Sequence, residues 1–156
     1  MDILEAVTSR LHAHKQTVTC AESCTGGMLA AKLTQLPGSS AWFDTGFVTY
    51  SNEAKQQLLG VQAQTLDHYG AVSEETVREM ALGALLAAKA DYSLSISGIA
   101  GPTGGSDDKP IGTVWFGLAS KQRIWARTAL FEGGRDKIRE QAVAFALAFL
   151  ADHLPE

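Results

Sequence analysis

Apolar residues return along this chain with two rhythms, and the switches between them divide it into ten segments. Ile3, Leu4, Val7 and Leu11 recur at helical spacing, which predicts a helix over 3–14. The β-branched run Thr17 to Cys20 predicts a strand, and a second helix opens around Thr25 and closes at Pro37-Gly38-Ser39-Ser40. Trp42 to Tyr50 is aromatic and β-branched, so a strand is expected there. Ser51-Asn52-Glu53 caps a short helix through Lys55 to Leu59 that Gly60 ends. Ser73 then caps a long helix to Lys89, with Val77, Met80, Ala81, Ala84, Leu85 and Ala88 as its buried stripe. A strand over Tyr92 to Ser97 follows. Ile111 to Ser120 and Arg123 to Phe131 are separated only by Lys121-Gln122, the length of a hairpin turn. Gly133-Gly134 breaks into a final helix, Asp136 to Leu150. The order αβαβααβββα, with helices between most strands, predicts one α/β domain over 1–156 whose sheet is covered on both faces and made mixed by the late hairpin.

Composition narrows what such a domain does. With 46% hydrophobic and 19% charged residues, the chain has the balance of a folded protein. The longest apolar stretch, Ala142 to Ala151, is too short for a bilayer, and residues 1–13 lack the basic start and apolar core of a signal peptide. A cytoplasmic protein without a membrane partner is expected. A net charge of −4 argues against nucleic acid as the main partner, while leaving room for a small anion held by local donors. Cys20 and Cys24 make neither a disulfide scaffold nor a zinc site. The histidines at 12, 14, 68 and 153 are scattered and read as surface or edge residues, so no metal site is expected.

Chemistry concentrates in residues 21–27, Ala-Glu-Ser-Cys-Thr-Gly-Gly, which lie between the first strand and the second helix. Such a turn sets small hydroxyls and bare N–H groups at the positive end of a helix, and suits a nucleophile, an oxyanion or a phosphate. Ser23 is the first residue to consider there. A second glycine-rich run, Ser97 to Gly105, follows the third strand and lets backbone approach a ligand closely.

Taken with FVTYSNEAK at 47–55, GTVWFG at 112–117 and F-x-G-x-R at 131–135, these strings resemble the CinA C-terminal domain family over nearly the whole chain. That resemblance implies a three-layer α/β/α sandwich around a mixed, mostly parallel five-stranded sheet. It also implies a homo-oligomer that hydrolyses the carboxamide of nicotinamide mononucleotide to a carboxylate and ammonia, within pyridine nucleotide recycling and without a cofactor. Larger relatives carry an N-terminal domain of molybdopterin-binding type with pyrophosphatase activity. The chain begins at the C-terminal domain, so that second activity is expected to be absent.

Amide hydrolysis needs an activated nucleophile, a proton shuttle and donors for the oxyanion. No histidine lies in any motif, so a serine–histidine arrangement has no obvious base, and a serine–lysine pair with Lys55 is the alternative. The resemblance assigns the nucleophile to Ser23 and the base to Lys55. The plain alternatives are a helix-capping serine and a solvated lysine. Cys24 is expected to pack behind the turn. Glu22 could pair with Lys55, bind a ribose hydroxyl or simply complement a helix terminus. Tyr50 could relay a proton or orient the lysine, or be an ordinary half-buried strand tyrosine. Substrate contacts are expected from Thr25, Gly26 and Gly27 in the first turn, from Gly101, Thr103, Gly104 and Gly105 in the second, and from the planar fork of Arg135. Asp107, Asp108 and Lys109 read as a solvated loop tip, and Trp42, Trp115 and Phe116 as core. A binding module without the reaction, or an amidase for another carboxamide, are the competing readings.

Overall fold

The computed structural model describes residues 2–156; Met1, the first residue of the expected domain, lies outside them. Six helices and five strands follow in the order α1 (Ile3–Ala13), β1 (Val18–Glu22), α2 (Met28–Leu33), β2 (Phe47–Val48), α3 (Asn52–Leu59), α4 (Ala63–Tyr69), α5 (Glu74–Ala88), β3 (Tyr92–Gly98), β4 (Thr113–Ser120), β5 (Ile124–Leu130) and α6 (Arg135–Ala151). The expected caps are in place. The Ser51 side chain accepts the Ala54 N–H at 3.0 Å, the Ser73 side chain accepts the Thr76 N–H at 3.2 Å, and Gly60 ends α3 in the left-handed region.

The strands form one mixed sheet in the order β2-β1-β3-β4-β5. β1 pairs in parallel with β2 and β3, whereas β4 runs antiparallel to both β3 and β5. Four strands therefore point one way and β4 alone the other. Side chains alternate between the two faces. Val18 and Cys20 of β1, Leu94 and Ile96 of β3, and Val114, Phe116 and Leu118 of β4 pack with α1, α2 and α6 in the larger core cluster. Ala21 and the partly buried Trp115 and Ala126 face α3, α4 and α5 instead. This is the expected three-layer sandwich.

Two segments depart from expectation. Only Phe47 and Val48 of the run 42–50 pair as a strand. The Trp42 indole donates to the Leu33 carbonyl at 2.9 Å, and Trp42 and Phe43 join the larger core cluster. Their aromatic character reflects burial at the sheet end, not strand pairing. Helix α4 was not anticipated, because its start is capped by a different helix. Glu79 of α5 accepts the Gln62 N–H at 2.8 Å and the Thr65 hydroxyl at 2.6 Å. A seven-residue helix is too short to hold by itself, so its sequence carries little local trace.

Candidate active site

Ser23 follows the last residue of β1, and its N–H donates to the Ile96 carbonyl of β3 at 2.9 Å. From β1 the chain crosses to β2 through α2 on one face of the sheet. From β2 it returns to β3 through α3, α4 and α5 on the other. The connections thus diverge at the carboxyl end of β1, the kind of crevice where open α/β sheets bind ligands.

The Lys55 side chain rises into this crevice from α3. Its Nζ donates to Ser23 Oγ at 2.9 Å, to the Thr49 carbonyl at 3.0 Å and to the Tyr50 carbonyl at 3.3 Å. Lys55 is only 1% exposed, and burial lowers its pKa from 10.5 to about 8. No carboxylate forms an ion pair with it among the described residues. The donor count matters here. A charged lysine uses all three protons on these oxygens. A neutral one keeps two protons for the carbonyls and turns its lone pair toward the serine hydroxyl. No heavy atom has to move between the two states; one proton leaves the lysine and the serine hydroxyl hydrogen turns toward it.

The turn after Ser23 is organised by Glu22. Its carboxylate is fully buried and accepts the Leu29 N–H at 2.8 Å, the Ala30 N–H at 3.1 Å and the Thr25 hydroxyl. Gly27, at the N-cap with φ of 107°, has no side chain to cap α2, so an acid seven residues ahead of Leu29 does so. Of the three expected roles for Glu22, its contacts match the helix-terminal one, since its oxygens are committed to the start of α2 and to Thr25. Thr25 is likewise fully buried with its hydroxyl on Glu22, which leaves its backbone as the part that can meet a substrate. Cys24 is buried behind the turn as expected, and burial raises its thiol pKa. The backbone N–H groups of Cys24, Thr25, Gly26 and Gly27 have no acceptor among the described residues, and Gly26 is exposed.

Arg135 joins three of the sequence motifs. It is the first residue of α6 and donates through Nη1 to the Gly101 carbonyl at 2.8 Å and through Nη2 to the Tyr50 hydroxyl at 3.1 Å. Tyr50 is 61% exposed with its phenol on Arg135, while its backbone carbonyl is the atom that meets Lys55. Tyr50 thus meets the lysine, one of its expected roles, through its main-chain carbonyl, and its phenol makes no hydrogen bond to Lys55 among the described residues. Gly101 is buried at positive φ, where a Cβ would approach Ile111 to 2.6 Å. Thr103, Gly104 and Gly105 are exposed on the same loop and make no hydrogen bond to Ser23 or Lys55. Lys109, expected to be solvated, instead ties this loop to the end of α4 by donating to the Tyr69 carbonyl at 2.7 Å.

Sequence reasoning missed three residues near the serine. Thr49 is fully buried, with its carbonyl on Lys55 and its hydroxyl unpartnered. Ser97, almost fully buried, is the next residue of β3 after Ile96, which pairs with Glu22. Arg139 donates to the Cys24 and Thr25 carbonyls at 3.3 and 3.2 Å. Its spacing of four from Arg135 on a helix was the one available hint. Among the described residues no group of three His, Cys, Asp or Glu side chains is placed to hold a metal ion, and no helix is long and apolar enough to cross a membrane.

Residues 1–154 match the CinA C-terminal domain family. The nicotinamide-nucleotide amidohydrolase PncC of Escherichia coli K12 is 57% identical over 151 residues, covering 96% of this chain and 92% of that protein. A putative competence-damage inducible protein of Alkaliphilus metalliredigens is 48% identical over 150 residues, 96% of this chain but 36% of its own length. Among solved structures, a CinA superfamily protein of Klebsiella pneumoniae superposes with a TM-score of 0.93 at 45% identity, covering 96% of this chain and 94% of that one.

Proposed function

The chain belongs to the CinA C-terminal domain family, and from that premise we propose that it is an amidohydrolase converting nicotinamide mononucleotide to nicotinic acid mononucleotide and ammonia. The observation that carries this reading is the contact of a buried, pKa-lowered Lys55 Nζ with Ser23 Oγ at 2.9 Å. A purely nucleotide-binding descendant has no use for a desolvated lysine against a serine hydroxyl.

In the reaction neutral Lys55 takes the Ser23 proton as Oγ attacks the carboxamide carbon. The carbonyls of Thr49 and Tyr50 stabilise the ammonium that forms. Free N–H groups of the 24–27 turn receive the oxyanion. Lys55 then returns its proton to the leaving nitrogen, ammonia departs, and an ester to Ser23 remains. Water attacks that ester, with neutral Lys55 again accepting the proton, and serine and the carboxylate are released. Arg135 and the Tyr50 phenol, both exposed beside the crevice, are placed for the phosphate end of the nucleotide. In this reading the product enters cytoplasmic pyridine nucleotide recycling and the protein works as a homo-oligomer, as the family likeness implies.

Purified protein incubated with nicotinamide mononucleotide should release ammonia and the acid nucleotide in equal amounts. Tight binding without ammonia release would assign it to the binding modules. Release from other carboxamides but not this one would make it a different amidase.

A further inference from the structure

Arg139 grips the serine turn at two points without touching Ser23 or Lys55. It lies on α6 one turn after Arg135 and is half-buried, its side chain 26% exposed. Nε donates to the Cys24 carbonyl and Nη2 to the Thr25 carbonyl, while Nη1 lies 3.8 Å from the Asp136 carboxylate. The turn's other anchors are the Thr25 hydroxyl on Glu22 and the Met28 N–H on the Thr25 carbonyl at 3.0 Å, and neither holds the Cys24 carbonyl. After the Ser23 N–H, the next backbone N–H bonded within the chain is that of Met28, and Gly26 and Gly27 between them both sit at positive φ. A Cβ at Gly26 would lie 3.4 Å from Nη2, so the guanidinium rests directly on this backbone.

A trans peptide is planar, with its C=O and the following N–H pointing in opposite directions. Holding the Cys24 carbonyl on the α6 side therefore turns the Thr25 N–H the other way. Holding the Thr25 carbonyl does the same for the Gly26 N–H. Both N–H groups are free of acceptors among the described residues. We propose that Arg139 is a positioning residue that orients the Thr25 and Gly26 N–H groups as the oxyanion donors for attack by Ser23. This rests on the amidohydrolase reading above. Donors misaimed by about an ångström forfeit up to roughly a hundredfold in rate. Arg135 and Arg139, four residues apart on one helix, thus divide the work: one faces substrate, the other the machinery.

The test compares Arg139→Met, which keeps length and helix propensity, with Arg139→Lys, which keeps a charged donor. Ammonia release from nicotinamide mononucleotide supplies kcat, KM and the pH profile, and amide hydrogen exchange of the peptide over 24–31 is read independently of substrate. In the Met variant kcat should fall about ten- to a hundredfold. KM and the pH midpoint should stay within error, because Arg135 and Lys55 are untouched, and faster exchange should be confined to the turn. The Lys variant should recover part of kcat; should the Met variant not fold, the same split measured in the Lys variant decides. A kcat within threefold of the parent would overturn the proposal whatever the exchange shows. So would a raised KM at full kcat, which would make Arg139 a substrate contact, or faster exchange throughout the sheet, which would make it a general structural residue. If the parent releases no ammonia, the amidohydrolase reading fails. The exchange arm then stands by itself: a loosened turn supports the grip of Arg139, and an unchanged one overturns it.

Discussion

The two faces of the sheet are built from different residues, and they do different things. On the face covered by α1, α2 and α6, strands β3 and β4 present Leu94, Ile96, Val114, Phe116 and Leu118, which interdigitate with Ile138, Ala142, Leu147 and Phe149 of α6. Phe116 stacks on Phe145 with centroids 4.4 Å apart. On the face covered by α5 the same strands present Ser93, Ser95, Ser97, Gly117 and Ala119, all buried. The small residues bring α5 close: a Cβ on Gly117 would meet the Val77 carbonyl at 2.4 Å, and the Ser95 hydroxyl donates to that carbonyl at 2.6 Å. The first face carries most of the apolar burial. The second sets small and hydroxyl-bearing strand residues close against the apolar stripe of α5, and at its carboxyl edge Lys55 meets Ser23. Burying an ionisable lysine is costly, and the large core on the opposite face supplies the surplus that offsets it.

If this division is right, substitutions on the two faces should separate activity from stability. Ser23→Ala should remove several orders of magnitude of kcat while the melting temperature stays near that of the parent. Retention of more than about a tenth of kcat would instead point to Cys24. Lys55→Arg should be nearly as inactive as Lys55→Ala, because a guanidinium does not deprotonate in the working range. Parent activity should rise with pH as Lys55 loses its proton near its lowered value of about 8. Substantial activity in the arginine variant alone would make Lys55 a fixed cation and not a base.

Phe116→Ala is the converse probe. Emptying a fully buried aromatic on the α6 face should cost about 3–5 kcal/mol. Urea unfolding should show that loss, while kcat per folded molecule remains close to the parent's. A specific loss of kcat in the folded fraction would mean that the two faces are not independent.

The cost of burying Lys55 has its own signature in pH. Its pKa is depressed in the folded protein relative to 10.5, so between pH 8 and 10.5 the unfolded chain binds the extra proton. Stability conferred through Lys55 should therefore rise with pH across that window and be lowest below it. The full effect is roughly 3 kcal/mol. Measured as the difference between parent and Lys55→Met, it should grow from pH 7 to pH 10.5. A flat difference would mean that Lys55 is not desolvated in solution.

Smallest is the effect expected at the rim. Arg135→Ala removes a charge-assisted contact of about 1.5–3 kcal/mol, and KM for nicotinamide mononucleotide should rise about tenfold or more. Nicotinamide riboside, which lacks the phosphate, should be affected less. Equal losses on both would show that Arg135 does not read the phosphate.

What the sequence by itself determined is local in range. The helix caps at Ser51 and Ser73, the hairpin between β4 and β5, the strand-to-helix turn at Ser23 and the helical stripe of α5 follow from residue chemistry within a few positions. The family strings added the fold and the Ser23–Lys55 pairing, across 32 positions that no local pattern spans. Tertiary structure alone decided which partner each polar group takes. It gave Glu22 to the start of α2, the Tyr50 phenol to Arg135, the cap of α4 to Glu79 and the serine turn to Arg139. For Glu22 and the carbonyls of the serine turn the physical reason is burial. A buried polar atom must find a hydrogen-bond partner, but which partner lies within 3 Å depends on strand order and helix packing, and those are settled only once both faces of the sheet have closed.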